Sequence, residues 1–214
     1  MSKSILIIGA GQGISSAIAE KFGNEGYTIG LINRNSSKGD SIVKNLSDKG
    51  IIAFSKSADA ADDSSLKDAI KDLKQKLGSI DILLYNAAAI KVKDILSVSS
   101  EELMNDFKVN VGAALQSIQI LYEELKEKKG AVLITGGGLA NYPNPLYGSL
   151  SIGKAGLRNL SLQLHERLKN DGIYVGTLTV NNTVSPNSPT HSPVIIAQKF
   201  WKLLQHRAQA EIQF

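Results

Sequence analysis

The chain has 214 residues, a formal net charge of +4, 43% hydrophobic residues and 21% charged residues. This length suits one sizeable α/β domain spanning residues 1–214, and the composition excludes a disordered chain. No block of five like charges occurs, so the composition gives nucleic-acid binding little support. Cysteine is absent, which excludes disulfides, thiolate catalysis and cysteine metal sites.

Targeting, membrane and metal signals are also missing from the sequence. Met1-Ser2-Lys3 leads directly into an apolar segment, so no signal peptide is expected. No apolar run approaches the roughly eighteen residues that a membrane span needs. The three histidines are scattered without metal-ligand spacing. We therefore expect a cytoplasmic protein that holds no metal and binds neither nucleic acid nor membrane.

The first elements are predicted to be a buried strand, a glycine turn and a helix. Ile5 to Ile8 are four consecutive branched apolar residues, as in a strand covered on both faces of a parallel sheet. Apolar residues then recur at helical spacing: Ile14, Ala17, Ile18 and Phe22. Between them lies Gly9-Ala10-Gly11-Gln12-Gly13-Ile14. Glycines here let the backbone approach a pyrophosphate, so the turn predicts a dinucleotide site; the alternative is a tight turn without a ligand.

A second strand is predicted from Thr28 to Asn33, and Arg34 follows it. An NAD enzyme carries an acidic residue near this point, about twenty residues past the glycines, for the ribose hydroxyls. A carboxylate would repel a 2′-phosphate, whereas a guanidinium binds one with paired hydrogen bonds. Asn33 and Arg34 therefore predict a preference for NADP(H) over NAD(H). The alternative is a solvated arginine at the end of a strand.

The rest of the chain alternates strands and helices without a linker or repeat. Ser36 is expected to cap the second helix, Asp62 the third, and Ser99 with Glu102 forms a capping box. Ser192-Pro193 predicts the start of the last helix. Further strands are expected at 51–57, 80–85, 131–135, 173–180 and 210–214, and long helices at 111–128 and 146–169. This order predicts a Rossmann-like, doubly wound parallel sheet in three α/β/α layers, with six to seven strands in the order 3-2-1-4-5-6-7.

These residues, in this order, resemble the short-chain dehydrogenase/reductase family over nearly the whole chain. Gly9 and Gly13 match its G-x-x-x-G fingerprint, although Ser15 stands where a glycine is usual. The other matching residues are Asp59, Asn86-Ala87, Asn110 and Lys154-Ala155-Gly156-Leu157. The resemblance implies that Asp59 contacts the adenine, that Asn86 and Ala87 lie along the cofactor, and that Lys154 binds the nicotinamide ribose.

The resemblance breaks at the residues that deliver a proton in this family. The family has a tyrosine four residues before the lysine, where this chain has Leu150, and a serine where it has Gly137. Of the usual asparagine-serine-tyrosine-lysine set, Asn110 and Lys154 remain. Tyr147 lies on the same predicted helix face, but seven residues correspond to about 10.5 Å of rise. Tyr147 is therefore either a substitute catalytic group or a packing residue.

Three functions follow as hypotheses. The first is an NADP(H)-dependent reductase with altered chemistry that acts on a carbonyl or alcohol substrate, with Lys154, Asn110 and Tyr147 as its catalytic candidates. The second is an NADP(H)-binding sensor or assembly protein without catalysis. The third, a fold that binds no cofactor, is disfavoured by the intact phosphate and ribose positions. Because the family pairs its long helices between subunits, the resemblance also implies a homodimer or homotetramer.

Overall fold

The computed structural model describes residues 3–214. Seven parallel strands form one sheet in the order β3-β2-β1-β4-β5-β6-β7. The strands are β1 (Ser4–Ile8), β2 (Thr28–Asn33), β3 (Ala53–Ser57), β4 (Ile82–Tyr85), β5 (Ala131–Gly137), β6 (Tyr174–Val180) and β7 (Glu211–Gln213). The predicted doubly wound topology is confirmed, and the order reverses between β1 and β4. Such a reversal creates a crevice at the carboxyl ends of the strands.

Helices cover both faces of the sheet. They are α1 (Ile14–Asn24), α2 (Ser36–Ser47), α3 (Asp63–Leu77), α4 (Ser100–Phe107), α5 (Ala113–Glu127), α6 (Gly148–Lys169) and α7 (Pro193–His206). One core joins the sheet to α1, α2 and α7 around Phe22 and Phe200. The other joins the opposite face to α3, α5 and α6 around Leu73 and Leu121. The apolar stripe predicted on α1 therefore faces the sheet.

The central strands are apolar because both of their faces are covered. In β1 every residue is buried, and alternate side chains enter opposite cores: Ile5 and Ile7 enter one, Leu6 and Ile8 the other. β1 pairs with β2 and β4 in parallel register, Ile8 lying opposite Ile32 and Tyr85. This register brings the carboxyl ends of three strands to one edge of the sheet.

Several boundaries differ from the predicted ones. The cap of α2 is Asn35, whose side chain accepts from the Lys38 amide, so the expectation that Ser36 caps this helix was wrong. Asparagine is among the best capping residues, and here it precedes the serine by one position. Asp62, Ser99 and Ser192 cap α3, α4 and α7 as predicted. α6 begins at Gly148 rather than Leu146.

A turn of π-helix, Lys108–Gly112, connects α4 to α5. Such turns insert one extra residue per hydrogen-bonded ring and turn side chains out of the regular helical pattern. Asn110 lies inside this turn and is 1% exposed. The sequence predicted a helix through this region in which Asn110 is either a site residue or a bend residue hydrogen-bonded to the backbone. Within residues 3–214, no helix is long and apolar enough to cross a membrane.

Candidate functional site

The carboxyl edge of the sheet holds two clusters of residues predicted for the site. We call the first the nucleotide end; it consists of the glycine turn after β1, Arg34 after β2, Asp59 after β3 and Asn86 after β4. The second, the reaction end, consists of Asn110, Gly137, Leu150 and Lys154. The nucleotide end follows from chain topology, because parallel strands all end at this edge, whereas the reaction end brings α6 and the π-helical turn to the end of β5.

A cleft of about 310 Å³ opens at the nucleotide end. Its lining residues are Ile8, Gly9, Ala10, Ile32, Asn33, Arg34, Ala58, Asp59, Ala60, Asn86, Ala87, Ala88, Ala89, Ile90 and Val109. The structure thus brings together residues that the sequence placed at the ends of four different strands. The walls are mostly apolar, with a few polar groups, as is typical of a ligand site.

Gly9 is required by the backbone at this turn. Its φ is +86°, and a Cβ on it would overlap the backbone of Ala87 and Asn86. Both the Gly9 and Ala10 amides donate to the Ile32 carbonyl, at 2.9 Å each. The turn is therefore clamped between the ends of β2 and β4, and only glycine combines this φ with so close an approach.

Gly11 and Gly13 have a different environment, because a Cβ on either would meet nothing within 4 Å. The space beside them is open, and Gln12 and Gly13 are exposed. Gly13 precedes α1 as its N-terminal cap residue and supplies no side chain there, while Ile14 begins the helix. The first amides of α1 face this open space, which suits an anionic group at the helix N-terminus.

Ser15 organises the turn, a role that the sequence analysis did not assign to it. This buried hydroxyl donates to the Gly9 carbonyl at 3.0 Å and accepts from the Gly11 amide at 3.1 Å. The Asn86 side-chain amide donates both to Ser15 Oγ at 3.0 Å and to the Gly9 carbonyl at 3.1 Å. Asn86 is thereby fixed to the turn. The serine in place of the usual glycine was the available signal.

The end of β2 presents two polar residues to the cleft. Asn33 is buried, and its Oδ1 has no hydrogen-bond partner among the described residues. Arg34 is exposed, and its guanidinium makes no ion pair within residues 3–214. The Asn33 Oδ1 lies beside α2, since a Cβ on Gly39 would be 3.0 Å from it, so Arg34 is the polar side chain that this strand end offers to a ligand. The residues present thus fit a nucleotide whose ribose and phosphate lie against β2.

Asp59 lies at the rim of the same cleft, in the loop after β3. It is exposed, and its Oδ1 accepts from the Ala61 amide at 2.9 Å. Its backbone carbonyl accepts from the Asp62 amide at 3.0 Å. One carboxylate oxygen therefore shapes the loop, and the other is left to contact a ligand.

Asn110 ties the reaction end to the segment after β4. Its Oδ1 accepts from the Ala89 amide at 2.8 Å, and its Nδ2 is buried without a hydrogen-bond partner among the described residues. A Cβ on Gly153 would overlap this amide, so α6 packs directly against the π-helical turn. The free donor of Asn110 is therefore next to the helix that carries Lys154.

Lys154 reaches from α6 to the end of β5. Its Nζ donates to the Thr135 carbonyl at 2.8 Å. Its methylene groups lie beside Gly137, because a Cβ placed there would be 3.5 Å from the Lys154 Cε. It makes no ion pair within residues 3–214, and burial lowers the pKa of its ammonium to about 8. The lysine is thus the one cation at this end of the site.

Leu150 and Tyr147 lie on the N-terminal side of Lys154. Leu150 is one turn before the lysine and is buried in the fold. Tyr147 precedes the first turn of α6, and its backbone bridges Lys93 in the segment after β4. α6 is continuous from Gly148, so about 10.5 Å of rise separates Tyr147 from Lys154 along the helix. The observed start of α6 therefore does not shorten the separation between Tyr147 and Lys154 that the sequence predicts.

The loop between β6 and α7, residues 181–192, closes this end of the sheet. A Cβ on Gly138 would lie 3.1 Å from the Asn181 Cα, so the loop starts beside the glycine run. The His191 ring stacks on Phe214, with centroids 4.5 Å apart. Among residues 3–214, no cluster of three or more metal-ligating side chains occurs.

Proteins of known sequence resemble this chain over most of its length. The 3-oxoacyl-acyl-carrier-protein reductase FabG of Staphylococcus epidermidis is 27% identical over 187 residues, which cover 86% of this chain and 77% of that protein. The (S)-acetoin-forming diacetyl reductase of the same species is 27% identical over 177 residues, or 82% of this chain and 69% of that one.

Solved structures share the fold. An alcohol dehydrogenase from the archaeon Thermococcus sibiricus, complexed with 5-hydroxy-NADP, superimposes with a TM-score of 0.86 at 21% identity, covering 99% of this chain and 95% of that one. A metagenomic short-chain oxidoreductase in complex with NADP gives 0.86 at 20% identity, with the same two coverages.

The family comparison is the decisive one. Residues 3–191 match the sequence family described as short chain dehydrogenase. This match spans the glycine turn, both ends of the site and most of the β6–α7 loop. The chain therefore belongs to the short-chain dehydrogenase family, a family of oxidoreductases.

Proposed function

We propose that this protein is an NADP(H)-dependent oxidoreductase that transfers hydride between the nicotinamide and a carbonyl or alcohol, without tyrosine-based proton delivery. The observation that carries the proposal is the cleft at the nucleotide end, where Arg34 follows β2 without an ion-pair partner among the described residues. A free guanidinium at this position favours a 2′-phosphate. Two solved structures that share this fold are complexes, one with 5-hydroxy-NADP and one with NADP.

Each cofactor-binding role is assigned by position. The glycine turn and the start of α1 bind the diphosphate, through Gly9, Gly11, Gln12, Gly13 and Ile14. Asn33 and Arg34 bind the adenosine ribose and its phosphate, and Asp59 contacts the adenine. Asn86 and Ala87 lie along the middle of the cofactor, and Lys154 binds the nicotinamide ribose. When bound, NADPH supplies the hydride, and the chain supplies orientation and polarisation.

The altered reaction end distinguishes this protein from the usual family pattern. Leu150 has no proton to donate, and Gly137 has no hydroxyl to position a substrate oxygen. Asn110 keeps an amide donor that has no hydrogen-bond partner among the described residues, and Lys154 keeps an ammonium. Asn110 lies on the π-helical turn and Lys154 on α6, two elements that pack against each other. Tyr147 is a weaker candidate because of its distance along α6. We therefore assign polarisation of the substrate to Asn110 and Lys154.

A second function, an NADP(H)-binding sensor or assembly protein, is favoured by two observations. Both Leu150 and Gly137 depart from the expected catalytic residues, and removing a proton donor alone costs about 10²–10⁴ in rate. The loop at residues 181–192 is also short for a substrate lid. Under this proposal the cofactor regulates an assembly, for which the long helices α5 and α6 would pair between subunits in a homodimer or homotetramer.

Cofactor titration and turnover separate these functions. Calorimetry with NADPH and NADH should give tighter binding for NADPH, and equal affinities would remove the assigned role of Arg34. NADPH oxidation measured across a panel of aldehydes, ketones, quinones and imines should then reveal turnover. Tight NADPH binding without turnover of any of them would replace the oxidoreductase with the sensor.

A further inference from the structure

We infer that the Lys154 ammonium itself donates the proton to the reduced substrate, in place of the missing phenol. This inference rests on the proposed oxidoreductase function and adds the identity of its acid. It starts from the position of the lysine rather than from its sequence pattern. Lys154 Nζ lies at the end of β5, held by one hydrogen bond to the Thr135 carbonyl at 2.8 Å.

Gly137 is partly exposed and lies beside the partly exposed Lys154 side chain, so a substrate oxygen can approach the ammonium from this side. Because Gly137 lacks a side chain, the volume at its α-carbon is bounded by the Lys154 stem, whose Cγ, Cδ and Cε would all lie 3.5–3.7 Å from a Cβ there. An oxygen atom entering this volume lies next to the end of the lysine side chain. Gly137 has an extended backbone, with φ of −160°, so this opening needs no strained conformation.

The environment of Lys154 makes its ammonium a usable acid. It is half-buried, and its one hydrogen bond in the described chain leaves two N–H groups for ligands. No charged side chain from β5, α6 or the π-helical turn pairs with it, so burial lowers the pKa of the ammonium to about 8. A donor with a pKa near the operating pH is an efficient general acid.

The proton transfer balances as a simple reduction. The hydride that the substrate carbonyl carbon accepts would come from NADPH, which would be left as NADP⁺, and the C=O π electrons would move to oxygen. One Nζ–H bond of Lys154 breaks as the new O–H bond forms, which leaves a neutral amine. Because Lys154 is only half-buried, solvent can return the proton.

The pH dependence of carbonyl reduction tests this inference. For the wild-type protein, kcat/KM should fall as the pH rises, with a midpoint near 8, the pKa of the Lys154 ammonium. Lys154→Arg keeps a positive charge but stays protonated at any usable pH. Its kcat should drop by about 10²–10⁴, and the limb near pH 8 should disappear. Lys44→Arg, on the exposed face of α2, is the matched control.

A second measurement reports the acid without relying on turnover. In protein labelled with ¹³C at the lysine ε-carbons, one resonance should titrate near pH 8 and be absent in Lys154→Arg. Leu150→Tyr in the Lys154→Arg background should recover part of the rate, because it places a phenol one turn from a guanidinium.

Four outcomes would overturn the inference. A flat pH profile with normal turnover, or a Lys154 resonance that titrates near 10.5, would remove the lysine as acid while leaving the oxidoreductase intact. If Tyr147→Phe, rather than Lys154→Arg, abolishes the fall of kcat/KM near pH 8, the proton comes from the Tyr147 phenol. NADPH binding without turnover of any substrate would overturn the oxidoreductase itself, and the inference with it.

Discussion

The nucleotide end and the reaction end lie on the same edge of one sheet, yet they are built differently. At the nucleotide end, Gly9, Ser15 and Asn86 bond to one another and to the end of β2, so the backbone is fixed before any ligand arrives. At the reaction end, Gly137 contributes no side chain and Leu150 a hydrocarbon one. Of its four residues, Lys154 and Asn110 keep polar groups: the lysine is partly exposed, whereas the Asn110 amide is buried against α6.

This difference indicates which constraint each end must satisfy. Binding a dinucleotide requires many backbone and side-chain groups in fixed positions, and losing any one weakens the whole cradle. Proton delivery requires one acid of suitable pKa, which different side chains can supply. The nucleotide end therefore tolerates little change, whereas the reaction end can change its acid and keep the fold.

The largest expected effect is at Gly9. Gly9→Ala should lower the free energy of unfolding by roughly 2–5 kcal/mol, since a side chain at a φ of +86° is strained and its Cβ overlaps Ala87. Gly11→Ala, with open space around its Cβ, should change stability by less than about 1 kcal/mol. Urea denaturation of both variants measures the contrast. Equal losses would mean that the turn is not clamped as described.

Arg34→Ala tests the nucleotide end for its cofactor. A charge-assisted hydrogen bond contributes about 1.5–3 kcal/mol, so the NADPH dissociation constant should rise about 10- to 100-fold. The NADH constant should change little, because that nucleotide lacks the 2′-phosphate. Isothermal titration of both nucleotides with both proteins measures this. A parallel loss for NADPH and NADH would place Arg34 outside the phosphate site.

Ser15→Ala tests whether the Ser15 hydroxyl holds the glycine turn in place. The Gly11 amide and the Asn86 side chain would lose their acceptor, at a cost of about 1–3 kcal/mol in the free energy of unfolding. NADPH should also bind more weakly, because Asn86 loses one of the two hydrogen bonds that fix its side chain to the turn. Ser41→Ala, on the exposed side of α2, should leave both quantities within about 0.5 kcal/mol. If the two variants behave alike, the hydroxyl is incidental.

The effect confined to alkaline pH is the pH dependence that Lys154 adds to stability. Its pKa is lowered to about 8 in the folded protein from its usual 10.5, so the unfolded chain binds more protons between these values. Stability from this residue should therefore rise as the pH increases from about 8 to 10.5, and its burial should destabilise the fold below 8. Lys154→Met should remove this rise, as urea unfolding at several pH values would show. An unchanged pH slope in the variant would contradict the lowered pKa.

Much of the fold was predictable because local patterns and tertiary packing agree here. The apolar run at Ile5–Ile8 can only be satisfied by cover on both faces, and the caps at Asp62, Ser99 and Ser192 mark helix starts by hydrogen bonds within a few residues. Strand and helix alternation then leaves few topologies, of which the doubly wound one was found. The Asn35 cap was missed because two capping residues stand side by side.

The sequence by itself determined the order of glycines, strand ends and polar residues along the chain, and the absence of a phenol at position 150. Only the tertiary structure decided that Ser15 bonds Asn86, that the π-helical turn buries the Asn110 amide, and that the Lys154 stem borders Gly137. Ser15 and Asn86 are 71 positions apart in the sequence. Asn110 and the Gly153 that packs on it are 43 apart, and Gly137 and Lys154 are 17 apart. Spacing along the chain carries no information about such pairs, because the packing of separate elements sets the distance between them. The same packing buries Lys154 and so lowers the pKa of its ammonium.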